Sequence, residues 1–325
     1  MTTSRRTFTL LMLSFLLTTA SGISNAQLYP ARPFRMILPY PPGGGIDIVL
    51  RLMQPSLART LGEPMVIDNR PGASGSIGME LAARATPDGY NLVSFSASLV
   101  IYSAISRTSY DLFADFQPIT QFTAAPYVLV VYPGLPVKSV KDLVAYAKAN
   151  PGKLNYASSG HGSLQHLAAE WFATAAGARI THIPYKGIGT ALPDLTAGRS
   201  HLMLASVTSM VPYIRNGRMR ALAVTTARRT RELPDAVTLI EAGLPDFLVT
   251  QWIGAAAPKA TPRHIVDQLQ RAMAKALREP DVAAALERDG TDAVGSTPAE
   301  FAALIRAEHG KWLGIATRAG IAVKR

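Results

Sequence analysis

The chain has 325 residues, 48% of them hydrophobic, a formal net charge of +11 and no cysteine. That length and apolar fraction suit two domains or one large α/β unit and exclude a disordered chain. The missing cysteine excludes disulfides, thiolate metal sites and a lipid-anchored N-terminal cysteine.

The opening segment MTTSRRTFTLLMLSFLLTTASGISNAQ has a basic start at Arg5 and Arg6 and an apolar run from Phe8 to Ala20. It closes on a small-residue exit, Ser24-Asn25-Ala26. This is the layout of a secretory signal peptide cleaved after Ala26, and it predicts an exported, periplasmic protein. The apolar run is shorter than the roughly 20 residues that span a bilayer. The Arg5-Arg6 pair suits either general or twin-arginine export. Without residues 1–26 the chain keeps 31 basic and 22 acidic side chains, a net +9. Such a charge attracts anions. No nucleic-acid-binding motif accompanies it, and the densest basic stretch, Arg215 to Arg231, reads as a solvated rim.

Apolar β-type runs then alternate with helical patterns. Strands are predicted at 34–40, 65–68, 90–96, 127–132, 154–159, 181–185, 201–206 and 220–226. Helices are predicted from about Asp47 to Thr60, from about Ile77 to Ala85 and from Leu164 to Ala176. Another begins at Ser139, an N-cap with Asp142 at N3. This alternation implies βαβ units and mainly parallel sheets. The last third reads as helical. Thr261 and Pro262 open one helix, and Thr297, Pro298 and Glu300 form a capping box ahead of another. No low-complexity linker separates domains, which suggests two lobes connected by more than one strand.

Four glycine-rich segments sit where strands give way to helices: PPGGGID (41–47), NRPGASGSIG (69–78), SSGHGSL (158–164) and YKGIGTALPDL (185–195). Ligands of open α/β sheets bind beyond the strand C-termini, and free N–H groups at the following helix N-termini favour anions. None of the four matches a dinucleotide or P-loop fingerprint. The 41–47 and 158–164 loops carry neither Lys nor Arg, so a nucleotide site is not indicated.

The segment from Tyr29 to Leu92, together with NPGKLNYASSGHGSLQHLAAEWF, HIPYKGIGTALPDLTAG, RALAVTT, LPDAVTLIEAGLPDF and GSTPAEFAALIRAE, closely resembles Bug-type receptors. These are extracytoplasmic solute-binding proteins of tripartite tricarboxylate transporters. The likeness implies a two-lobed periplasmic-binding-protein fold of type II-like architecture, with two mixed, mainly parallel sheets flanked by helices and a cleft between the lobes. Lobe one is expected to comprise residues 27–125 and 225–325, and lobe two residues 126–224. The implied ligand is a small organic acid, the implied partner a membrane permease, and a sensor kinase is the alternative partner. No catalysis, cofactor or bound metal is expected, and the chain is expected to be a monomer. In HLMLAS the chain carries Ala205 and Ser206 where relatives show an acidic residue and an amide, which leaves ligand choice open.

The candidate site follows from these turns. Backbone N–H groups of Gly43, Gly44, Gly45 and Ile46, after Pro42, and of Gly160, His161, Gly162, Ser163 and Leu164 are candidate donors to a carboxylate. Hydroxyls of Ser158, Ser159 and Ser163 are candidates to join them. Asp47 is expected at the helix start, as a cap or as the residue that orders the loop. Ser96 and Ser98 follow the third strand toward the cleft floor. Tyr185 ends another strand, and Trp252 is a candidate wall residue. His166 and Glu170 are an i, i+4 pair that, with no other ligands nearby, reads as a surface or cap pair in preference to a half-site for zinc, and His182 lies in an unrelated sequence context. No G-x-S-x-G elbow or spaced Ser/His/Asp set points to a hydrolase.

Overall fold

A computed structural model describes residues 29–288 and 290–321. The signal peptide and its cleavage position after Ala26 lie outside the described residues. The chain begins with β1 (Phe34–Leu38), α1 (Gly45–Leu61), β2 (Met65–Asn69), a single 3-10 turn (Ala73–Gly75), α2 (Ser76–Ala83), β3 (Asn91–Ser96) and α3 (Ala97–Ile105). A long strand, β4 (Phe116–Val131), leads into α4 (Val140–Ala149), β5 (Asn155–Ser158), α5 (Leu164–Ala176), β6 (Thr181–Pro184) and α6 (Ile188–Thr196). Then come β7 (Leu202–Ser206), α7 (Val207–Arg215), β8 (Arg220–Val224), β9 (Val237–Thr238) and β10 (Thr250–Pro258). The C-terminal part holds α8 (Arg263–Leu277), α9 (Pro280–Arg288), β11 (Asp292–Ala293) and α10 (Pro298–Arg318).

The fold is a two-lobed periplasmic-binding-protein architecture organised by β4. Its first half pairs with β10, which continues through β3 and β1 to β2; its second half pairs with β7, which continues through β5 to β6. β8 and β9 extend the second sheet on the other side of β4. Pairing is parallel in the outer strands of both sheets and antiparallel wherever β4 or β10 takes part. The second sheet keeps the chain as far as Thr238, so the return to the first sheet falls between Thr238 and Thr250. That is later than the boundary at residue 225 expected from sequence, because the short β9 adds onto β8 after a long turn.

Strand alternation places the core. On β1, Phe34, Met36 and Leu38 face Leu50 and Met53 of α1 and Val266 and Met273 of α8, while Ile37 faces the opposite layer with Phe95. Helices on both sides of a sheet require this two-faced hydrophobicity. Burying each such side chain stabilises the fold by about 1.5–3 kcal/mol. Capping follows the sequence at two helices. Ser139 Oγ accepts from the Asp142 N–H, and Thr297 with Glu300 makes the full capping box. At α8 the cap falls on Pro262 instead of Thr261: Thr261 is buried, and the Ile265 and Val266 N–H groups reach the Pro262 carbonyl.

Several elements escape the sequence patterns, among them the strand β10 in the part of the chain that reads as helical. The segment 116–126 is the first half of β4, and ASLVIYSAI is the helix α3, despite its β-branched residues. α3 is enclosed on nearly all sides, so an apolar run replaces an amphipathic stripe.

Candidate ligand-binding cleft

Two turns and the helix α3 of the first lobe and one turn of the second close around a cavity of ≈ 330 Å³. Pro39, Tyr40 and Pro41 leave the end of β1, Pro71 to Gly75 follow β2, and Ser98 and Tyr102 lie on α3. Ser159, His161, Gly162 and Ser163 follow β5 across the cleft. All four elements start at strand C-termini, the usual ligand end of open α/β sheets. Among the described residues, no Lys or Arg lines this cavity. Larger hollows of ≈ 450 and ≈ 590 Å³ lie elsewhere, around Arg228–Glu232 and around Leu233–Val237. Ion pairs such as Arg229–Glu241 and Arg231–Glu287 already use the charges of the first.

Backbone shape in these turns is unusual. Gly72, Ala73, Ser74 and Gly75 all have positive φ, at 128°, 46°, 55° and 94°. Left-handed backbone at Ala73 and Ser74 costs free energy, and such strain concentrates at functional sites. Gly75 is required on a second count, since a Cβ there would lie 2.6 Å from Leu99 Cδ2.

On the first lobe, Pro42 to Gly45 are exposed, and of the expected 41–47 turn only Pro41 is part of the cavity lining. The helix N-cap is Gly44, and the first intrahelical bond runs from the Ile48 N–H to the Gly44 carbonyl. Helix geometry therefore leaves Gly45, Ile46 and Asp47 N–H groups without an intrahelical acceptor. Gly43 is different, because its N–H donates to Asp47 Oδ2 at 3.0 Å. Asp47 also accepts from Arg51 at 2.7 and 3.0 Å and from Asn69 Nδ2 at 3.2 Å. The Arg51 hydrogen bond holds its carboxyl down at about 2 against the opposing effect of burial, aided by Gly43 and Asn69. Asp47 therefore orders the loop by reaching back to Gly43; it is not the side-chain cap.

Ser98 lines the cavity, whereas Ser96 is fully buried as the N-cap of α3 and hydrogen-bonds Tyr40 Oη at 2.6 Å. Burial pushes the Tyr40 phenol up to about 12, so it is neutral near pH 7. On the second lobe, much of the turn's polarity is spent on the turn itself. Ser158 Oγ accepts from the Gly160 N–H, Ser163 Oγ donates to the Gly160 carbonyl and caps α5, and the Gly162 N–H donates to His166 Nδ1. Ser159 Oγ donates to Gln165 Oε1 at 2.9 Å while lining the cavity. The N–H of buried Leu164, at the first position of α5, has no intrahelical acceptor.

Two expected wall residues stand away from the cavity. Tyr185 donates its hydroxyl to Asp194 at 2.7 Å, and Trp252 is fully buried, packed edge-on against Phe301 with ring centroids 5.5 Å apart. Trp252 is a core residue because β10 is a central strand covered by α10. In contrast, Tyr40, Tyr102 and the 71–75 turn line the cavity and were not among the expected contacts. The 69–78 glycine segment was the sequence signal for the turn; Tyr102 carried none, because it depends on α3 being a helix. The fold also joins His182 to His161 and His166, which the sequence had left in separate contexts. Glu170, the other half of the expected i, i+4 pair, instead accepts from Tyr156 Oη at 2.5 Å.

Residues 49–321 match the model of the tripartite tricarboxylate transporter family receptor. The chain is 36% identical to Protein BugT of Bordetella pertussis, over 92% of this chain and 93% of that protein. Among solved structures, R. palustris Rpa4515 with adipate is 35% identical with a TM-score of 0.79, covering 90% of this chain and 99% of that one. MatC from Rhodopseudomonas palustris with bound malate is 30% identical with a TM-score of 0.76, covering 88% and 99%.

Proposed function

The chain belongs to the tripartite tricarboxylate transporter receptors of Bug type, and from that premise we propose that it captures a small organic carboxylate in the cleft between its lobes. The protein acts in the periplasm, after loss of residues 1–26, and delivers its ligand to a membrane permease without turning it over. One observation carries this reading: glycine-rich turns from both lobes meet at a single cavity of ≈ 330 Å³ with no cationic side chain in its lining. That volume lies at the small end of ligand pockets. An anion there is held by N–H groups at helix starts (Gly45 and Ile46 on one lobe, Leu164 on the other) and by the hydroxyls of Ser98, Tyr102 and Ser159. Each charge-assisted hydrogen bond contributes about 1.5–3 kcal/mol. Adipate and malate in the two relatives make short dicarboxylates the first compounds to try.

Thermal unfolding of the protein against a panel of dicarboxylates, tricarboxylates and monocarboxylates tests the proposal. A ligand at a hundred times its Kd stabilises the native state by about 2.7 kcal/mol, which raises Tm measurably. Tyr102→Phe is expected to weaken the best ligand while leaving the stability of the unliganded protein within about 1 kcal/mol of wild type. The absence of a shift with every acid, or turnover of a bound acid, overturns the reading.

A further inference from the structure

We propose that His161, His166 and His182 form a binding site for a divalent transition-metal ion of the zinc type in the second-lobe wall of the cleft. Three separate elements supply the imidazoles: the Gly160–Gly162 turn, the first turn of α5 and the middle of β6. Each offers a ring nitrogen, and these nitrogens all lie within 4.8 Å of one another. Imidazole nitrogen is a preferred zinc ligand, and three protein ligands with one open position is the arrangement of accessible zinc sites.

The surroundings favour the neutral form of His166 and His182. Burial, reinforced by the neighbouring histidines, holds His166 down at about 3 and His182 at about 4. Hydrogen bonds orient two of the rings. His182 Nε2 lies 2.6 Å from Ser158 Oγ, and His166 Nδ1 accepts from the Gly162 N–H at 3.1 Å. Ser158 Oγ can accept the His182 Nε2 proton and leave Nδ1 free, the outer contact usual at metal sites, whereas neutral His166 carries its proton on Nε2 while Nδ1 accepts from Gly162, so a metal at Nδ1 must displace that N–H.

Binding requires the site to contract. Zinc–nitrogen bonds of about 2.0–2.1 Å place tetrahedral ligand atoms roughly 3.4 Å apart. His166 and His182 are stacked at 4.0 Å between centroids, and the in-plane lone pairs of parallel rings do not converge, so this pair must fan open. His161 is the arm with room to swing. It is exposed, and its neighbours Gly160 and Gly162 have φ of 126° and 75°. Because His161 lines the ligand cavity, the open position of the metal faces the cleft. Resting on the carboxylate-receptor reading, a bound ion there supplies the positive charge that the cavity lining lacks and can accept a ligand oxygen.

Titration of chelator-treated protein with zinc chloride, without any carboxylate, tests the site by itself. Saturable one-to-one binding is expected, with His161→Ala and His182→Ala each weakening it at least tenfold. His264→Ala, at an exposed histidine of α8, is expected to bind as wild type does. His161→Ala changes an exposed side chain and so guards against misfolding of the more buried variant. Absence of saturable binding, or equal affinity in all three variants and wild type, overturns the proposal. Repeating the carboxylate titrations with zinc present separates the two readings. Zinc binding with unchanged carboxylate affinity removes the coupling and retains the site, whereas carboxylate binding with no zinc binding removes the site and retains the receptor.

Discussion

Asp47 illustrates how one side chain reconciles a carboxylate with a turn proposed to bind an anion. Its charge is neutralised by Arg51 and directed at the Gly43 N–H, away from an incoming ligand. The carboxyl sits near 2 when folded against an ordinary 3.8, so the unfolded chain takes up the proton first as acid is added. The stabilisation is present above pH 3.8 and fades as pH falls toward 2. Asp47→Asn is expected to lower Tm at neutral pH and to flatten the Tm–pH curve in that acid window; an unchanged acid limb would refute the assignment. Trp252 gives the opposite kind of test. Its ring is fully buried away from the cavity, so Trp252→Ala is expected to cost about 3–5 kcal/mol and leave the order of ligand preference intact. Equilibrium urea unfolding combined with the acid panel checks both halves.

Among the elements, the 71–75 turn is the part of the cleft most dependent on backbone freedom. Gly75→Ala forces a Cβ at φ 94° into Leu99 and within 3.3 Å of Pro39 Cβ. The expected loss is about 1–3 kcal/mol in urea unfolding, together with a weaker ligand because both neighbours belong to the cleft wall or its backing. α10 behaves differently. Thr297→Ala removes its capping box and is expected to cost about 1 kcal/mol with no change in ligand affinity, since the helix start lies outside the cavity lining. That cap was readable from Thr297, Pro298 and Glu300 because capping is a contact between residues three apart. α3 was not readable, because a mostly buried helix, with only Ser98, Tyr102 and Ser103 half-buried, loses the periodicity that distinguishes it from a strand.

The whole molecule is bound together more tightly than two lobes joined by bare strands. β4 runs unbroken through both sheets, and α10 carries Trp312 against Trp171 of α5 and Phe301 against Trp252 of β10. A single hydrophobic cluster accordingly includes Phe95 and Ile305 together with Leu164 and Phe172. Closure around a ligand is therefore expected at the cleft rim, with the α10 side serving as a fixed back. Hydrogen exchange with and without a bound acid checks this: the turns at 39–46, 71–75 and 159–164 should gain protection, while β4 and α10 stay unchanged. Equal gains across the molecule would contradict a fixed back.

The alternation of strands and helices, the caps at Ser139 and Thr297 and the glycine turns at strand ends were set by the sequence alone. Each depends on residues within a few positions of one another and on the steric freedom of glycine and proline. Tertiary structure decided which turns share a cavity, why Trp252 belongs to the core and Tyr102 to the wall, and how three histidines spread over 22 positions come together. Those outcomes depend on sheet order and on helices packed across long separations in the chain, and such distances leave no local periodicity to read.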